Sequence, residues 1–117
     1  MGGTVMRMEE ILPASRIRLV DEVADRQEAI RRLIAMLDAD GCLNDPEQFA
    51  RDLAAREAQS NTAVQGGLDL PHARSAGVAV PAAALLVLHK SMDCRCMMDG
   101  QPVNVFLMIA SPEDGTV

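Results

Sequence analysis

The apolar period of this chain changes from helical to strand-like near Ser60, and that change limits what the chain can fold into. Before it, Ile30, Leu33, Ile34 and Leu37 recur at i, i+3, i+4 and i+7, the spacing of one buried stripe on an amphipathic helix. After it, "LDLPHA", "AALLVLHK" and "QPVNVFLMIA" are short apolar runs of strand length. With a short strand ahead of them, two helices followed by several strands imply an α/β domain with a mixed sheet. The first helix carries its own boundaries. Asp25 can accept from the first-turn amides, and Glu28 three residues on resembles a capping box. Gly41 offers a left-handed stop. A second helix starts with Asp45 as N-cap and Pro46 in the first position. Phe49, Leu53 and Ala54 are its expected buried face.

The flanks read less strongly. In "ILPASRIRLV", Ile17 and Leu19 alternate with Arg16 and Arg18, a short strand pattern. "LDLPHA" is extended because a residue before proline is pushed out of the helical region. Asp99-Gly100 is a turn signal, so "CRCMM" and "VNVFLMI" are expected to pair as a hairpin. The last strand runs to Ala110. "SPED" then reads as a new helix, with a capping serine, a proline and first-turn acids.

The chain has 117 residues, the size of one domain. Its core must be aliphatic, since there is no Trp, no Tyr, and only Phe49 and Phe106. A net charge of −6 argues against nucleic acid, which needs a Lys/Arg surface to neutralise phosphates. No stretch has the length and composition of a membrane span or secretory signal, so a cytoplasmic protein without membrane insertion is expected. Cys42, Cys94 and Cys96 therefore read as reduced thiols. Cys94 and Cys96 share a strand face, but a zinc site would need two more ligands nearby and only His89 offers itself.

The other histidine, His72, follows Pro71 where an apolar segment breaks off. Its neutral imidazole has one nitrogen with a lone pair, which can take a proton, a metal or a phosphoryl group. A loop histidine bonded to nearby backbone is the plainer alternative. No Walker loop or Gly-x-Gly-x-x-Gly supports a nucleotide site. The chemistry of the residue leaves these readings open.

Several motifs in order narrow them. Arg56-Glu57, Thr62, Gly67-Leu68-Asp69-Leu70-Pro71-His72 and Asp99-Gly100-Gln101-Pro102-Val103 together resemble the EIIA domain of the bacterial phosphotransferase system, of the fructose/mannitol/nitrogen-regulatory type. The resemblance covers about residues 9–117. It implies a single three-layer α/β/α-type domain with a mixed β-sheet. By the same resemblance, His72 accepts phosphate from the carrier HPr and passes it to an EIIB cysteine, with Arg56 stabilising the phosphoryl group and Thr62 supporting the His72 loop. No metal or nucleotide cofactor is implied. Two alternatives stand beside sugar uptake: a nitrogen-regulatory signalling protein acting through phosphorylation-dependent partner binding, and a non-catalytic binding remnant.

Three departures from the family pattern matter. Ala63 stands where glycine is frequent. Asp69 stands where alanine is usual, and it either faces His72 and repels phosphate or is turned outward by strand alternation. By the resemblance, a second histidine and C-terminal helices are expected beyond Val117, and His89 matches nothing in the pattern. A chain cut there is expected to leave an apolar sheet face or edge open and to self-associate.

Overall fold

The computed structural model describes residues 7–59, 66–92 and 102–113. A short helix α1 (Met8–Ile11) and a 3-10 turn (Ala14–Arg16) lead into strand β1 (Ile17–Val20). Helices α2 (Arg26–Ala39) and α3 (Pro46–Gln59) follow, then strands β2 (Leu68–Asp69), β3 (His72–Ser75), β4 (Ala82–Met92) and β5 (Val103–Pro112). The sheet is mixed, as expected. β1 runs parallel to β4, β4 antiparallel to β5, and β2 and β3 both parallel to β5.

Both long helices begin, and α2 ends, where local chemistry directs. The Glu28 amide donates to the Asp25 carboxylate at 2.8 Å. The Glu28 carboxylate in turn accepts from the amide of Ala24, one residue before the cap, and this bond with that from the Arg32 guanidinium holds its carboxyl below the usual range. At the other end, the amides of Gly41 and Cys42 donate to the carbonyls of Asp38 and Leu37, the paired bonds of a Schellman stop. In α3 the amide of Gln48 donates to Asp45 at 3.1 Å, completing that cap.

Leu33, Leu37, Phe49 and Leu53 from the helices meet Leu86, Phe106, Met108 and Ala110 of the sheet in one core. Strand pairing places Leu86, Phe106 and Asp69 at matched positions, so this is the sheet face that α2 and α3 cover. On the opposite face Ile17 aligns with Leu85 and Leu107, and Leu19 with Val87 and Val105.

Three sequence expectations are corrected. Ala54 is exposed; the buried stripe of α3 passes from Phe49 and Leu53 to Arg56 and Glu57, which are half-buried. Ser111 and Pro112 continue β5 instead of opening a helix, because they pair with Arg74 and Ser75 of β3. A long-range ladder here outweighs a local capping signal. The alternation around β1 is also inverted. Arg16 is buried, while Ile17 and Leu19 are 45 % and 73 % exposed. The Arg16 guanidinium satisfies itself inside, donating to the carbonyls of Ala83 and Ile11 and to Asp40. β1 is an edge strand, so its apolar side chains have sheet neighbours but no covering layer among the described residues. The expected hairpin half at Cys94 and Cys96 lies outside the described residues; β5 pairs with β4, from Ala82 to Met92.

Candidate functional site

β2 and β3 are two pieces of one line along β5. Leu68 and Asp69 pair with Val105 and Phe106, and His72 resumes with Ile109 in the same register. The break between them is Pro71, which has no amide to give the ladder. Its carbonyl still accepts from the Ile109 amide at 3.0 Å. Strand alternation then divides the residues. Asp69, Pro71, Ala73 and Ser75 are buried on the helix side, whereas Leu70 and His72 are half-buried on the other. His72 thus stands beside an interruption in the sheet, at its edge.

The line is aimed by contacts at both ends. Upstream, Gly66 and Gly67 have φ of 80° and 84°, the left-handed region that favours glycine. The Gly67 carbonyl accepts from the amides of Asn104 and Val105, which locks the start of β2 to the start of β5. Downstream, buried Ser75 donates to Asp52 of α3 at 2.6 Å and accepts from the Gly77 amide at 3.0 Å. The Ser75 hydroxyl and then the Gln48 amide hold the Asp52 carboxyl below its usual range. One turn further along α3, Arg56 reaches His72.

Two contacts define the imidazole. Its Nδ1 lies 2.9 Å from the Leu70 carbonyl, which can only accept, so Nδ1 carries the proton. Its Nε2 lies 3.4 Å from Arg56 Nη2, which can only donate. The two partners agree on one tautomer, with a lone pair on Nε2 directed at a guanidinium. A nucleophilic nitrogen beside a fixed positive charge can accept an anionic electrophile, and a phosphoryl group fits that description.

Strand alternation turns Asp69 away from His72, but into the protein and not towards water. It is fully buried, and both its oxygens accept from Arg26, the first residue of α2, at 2.7 and 3.0 Å. Arg26 also donates to both carboxylate oxygens of Glu57, one of them at 3.0 Å. Burial works against the charge on Arg26, but the hydrogen bonds and charges of Glu57 and Asp69 outweigh it and push its pKa up. Asp69 therefore sits in an ion-paired cluster on the face away from the imidazole.

Sequence reasoning brought together His72 and Arg56, and the structure joins them. Thr62, Ala63 and the Asp99-Gly100-Gln101 turn lie outside the described residues. His89 is exposed near the end of β4. Arg26 was missed. Its signal was the polar continuation of the α3 stripe: from Phe49, positions i+3, i+7 and i+8 are Asp52, Arg56 and Glu57, charged residues on a buried face that must find partners.

Fold and site together define a small α/β domain with a histidine at the edge of a mixed sheet, its ring held between a carbonyl and a guanidinium. Residues 10–117 match the model of the EIIA 2 family of the phosphoenolpyruvate-dependent sugar phosphotransferase system, and the chain belongs to that family. It is 33 % identical over 108 residues to the fructose-specific EIIABC component of Bacillus subtilis, covering 92 % of this chain and 17 % of that relative. The nitrogen regulatory protein IIA-Ntr from Neisseria meningitidis has a similar structure, with a TM-score of 0.74 and 28 % identity over 93 % of this chain and 73 % of that one. The IIAMTL–phosphorylated IIBMTL complex from Escherichia coli shares the fold, with a TM-score of 0.71 at 19 % identity over 87 % of this chain and 71 % of that one. The chain spans less than a fifth of the fructose-specific relative's length. Among the described residues no helix is long and apolar enough to cross a membrane.

Proposed function

We propose that this chain is a cytoplasmic phosphocarrier domain whose His72 Nε2 takes a phosphoryl group from phospho-HPr and delivers it to a cysteine of an EIIB partner. The observation that carries the reading is the imidazole itself, with its lone pair on Nε2, facing Arg56, and its proton on Nδ1, held by Leu70. In the first transfer Nε2 attacks phosphorus and the donor's P–N bond breaks, its electron pair returning to the donor ring. The positive charge that develops on the His72 ring is carried at Nδ1–H, against the Leu70 carbonyl. In the second transfer an EIIB thiolate attacks phosphorus and the electron pair of the P–Nε2 bond returns to His72. The protein's contribution is positioning and charge neutralisation, with Arg56 facing the oxygens of the group in transit.

The EIIB partner draws support from the mannitol relative, whose structure is a complex with phosphorylated IIBMTL. The fructose-specific relative favours sugar uptake. The nitrogen-regulatory neighbour favours a second reading, in which the same phosphorylated His72 controls partner binding. Incubation with radiolabelled phospho-HPr tests the common step. One acid-labile, base-stable phosphate per chain is expected, abolished by His72→Ala and retained in His89→Ala. Label that survives His72→Ala would sink the assignment.

A further inference from the structure

We infer that Arg26 is a positioning residue for the reactive pair, joining Glu57 and Asp69 into a clamp that holds Arg56 against Nε2 of His72. The inference rests on the phosphocarrier reading and adds a residue remote from the chemistry. Glu57 is the chain neighbour of Arg56, and Asp69 lies three residues before His72 on the same interrupted strand line. Arg26 grips both carboxylates through both oxygens. A closed circuit results: Arg56 to Glu57 along α3, Glu57 through Arg26 to Asp69, Asp69 to His72 along the sheet edge, and His72 Nε2 back to Arg56.

Such a brace is needed at this place. Arg56 and Glu57 lie in the last turn of α3, where carbonyls have no intrahelical donors and local opening costs little. A second tie between α3 and β3, Ser75 to Asp52, lies one turn back towards the helix start. A shift of the last turn by about 1 Å would carry Arg56 away from Nε2, and misplacements of that size cost up to about 10²-fold in rate. The planar fork of arginine spans two carboxylates at once, which an ammonium on a flexible stem does not.

Removing Arg26 alone would leave Asp69 fully buried without its cation, a change that can unfold the chain. The test therefore uses the double variant Arg26→Met/Asp69→Ala, which also removes the buried charge and lets Glu57 turn to water. In this variant the rate of His72 phosphorylation at saturating phospho-HPr is expected to fall about tenfold, with the KM for phospho-HPr within about twofold of the parent. In an Arg56→Ala background the same pair of substitutions should cost nothing further, because the clamp acts through Arg56. A full further tenfold loss in that background, or an unchanged rate in the double variant, overturns the inference.

A second readout needs no phosphoryl transfer. Ring 15N shifts of His72 in the unphosphorylated parent should report Nδ1–H with bare Nε2, and in the double variant a mixture of tautomers. Identical shifts in parent and variant overturn the clamp even if His72 is labelled. Failure of the parent to take label while the shifts still respond would overturn the phosphocarrier reading and leave the clamp standing as a brace on the Arg56–His72 pair.

Discussion

Replacing Gly67 by alanine tests whether the start of β2 is as tightly held as its geometry indicates. The φ of 84° costs an alanine about 1–2 kcal/mol, because its Cβ crowds the following carbonyl. A second cost comes from the neighbours. The new Cβ would lie 2.7 Å from Asn104 Oδ1 and 3.2 Å from the Pro102 carbonyl oxygen. The Asn104 amide can swing away. The Pro102 carbonyl belongs to the backbone that enters β5, and it cannot retreat without stretching the Asn104 and Val105 bonds to the Gly67 carbonyl. Weakening one such bond adds about 1 kcal/mol, so the expected total is about 2–3 kcal/mol. Gly66 is the internal control. Its φ is 80°, yet nothing lies within 4 Å of an added Cβ, so Gly66→Ala should carry the backbone cost alone. Urea unfolding followed by circular dichroism measures both, and at an m-value of ~1–3 kcal/mol/M the Gly67→Ala midpoint should fall by about 1 M. If Gly67→Ala proves no more destabilising than Gly66→Ala, the close-approach argument fails, and with it the view that the Gly67 contact aims the His72 line.

Other consequences are open to direct measurement. Arg56→Ala should slow phosphorylation of His72 by ~10², the usual cost of losing a transition-state donor, with Arg56→Lys falling between; equal rates for parent and Arg56→Ala would remove the guanidinium from the mechanism. Ser75→Ala should destabilise the fold most at neutral pH. The Asp52 carboxyl is held below its usual range by Ser75, so its contribution is present above the unfolded pKa and is lost as pH falls through the lower folded pKa. The gap between parent and Ser75→Ala should narrow on acidification, and a gap independent of pH from 7 to about 2 would contradict this. Exposed Ile17 and Leu19 on the edge strand β1 lead us to expect self-association of the 117-residue chain at micromolar concentration, weakened by Leu19→Lys. Sedimentation of the parent as a monomer over a dilution series would rule it out.

What could be read from the sequence alone was mostly what is decided locally. The α2 stripe and the caps at Asp25, Gly41 and Asp45 are interactions among residues within about one or two helical turns, so residue order determines them. The contact of His72 with Arg56 was expected for a different reason: linked motifs carry a resemblance that puts both residues at one site. The tertiary structure decided the rest, because its causes lie far apart in the chain. Arg26 meets Glu57 across 31 residues and Asp69 across 43, and no local pattern announces either pairing. Asp69 left two readings open, a charge repelling phosphate or one turned away by alternation, because its cation was invisible. Ser111 and Pro112 read as a helix start until β3 paired with them. The inversion around β1 has the same origin: alternation reports which side chains share a face, but only the placement of α2, α3 and the sheet edge determines which face is covered. The Nε2 lone pair of His72 is likewise a tertiary fact, set by one carbonyl two residues away and one guanidinium sixteen residues away that the fold brings to opposite sides of a single ring.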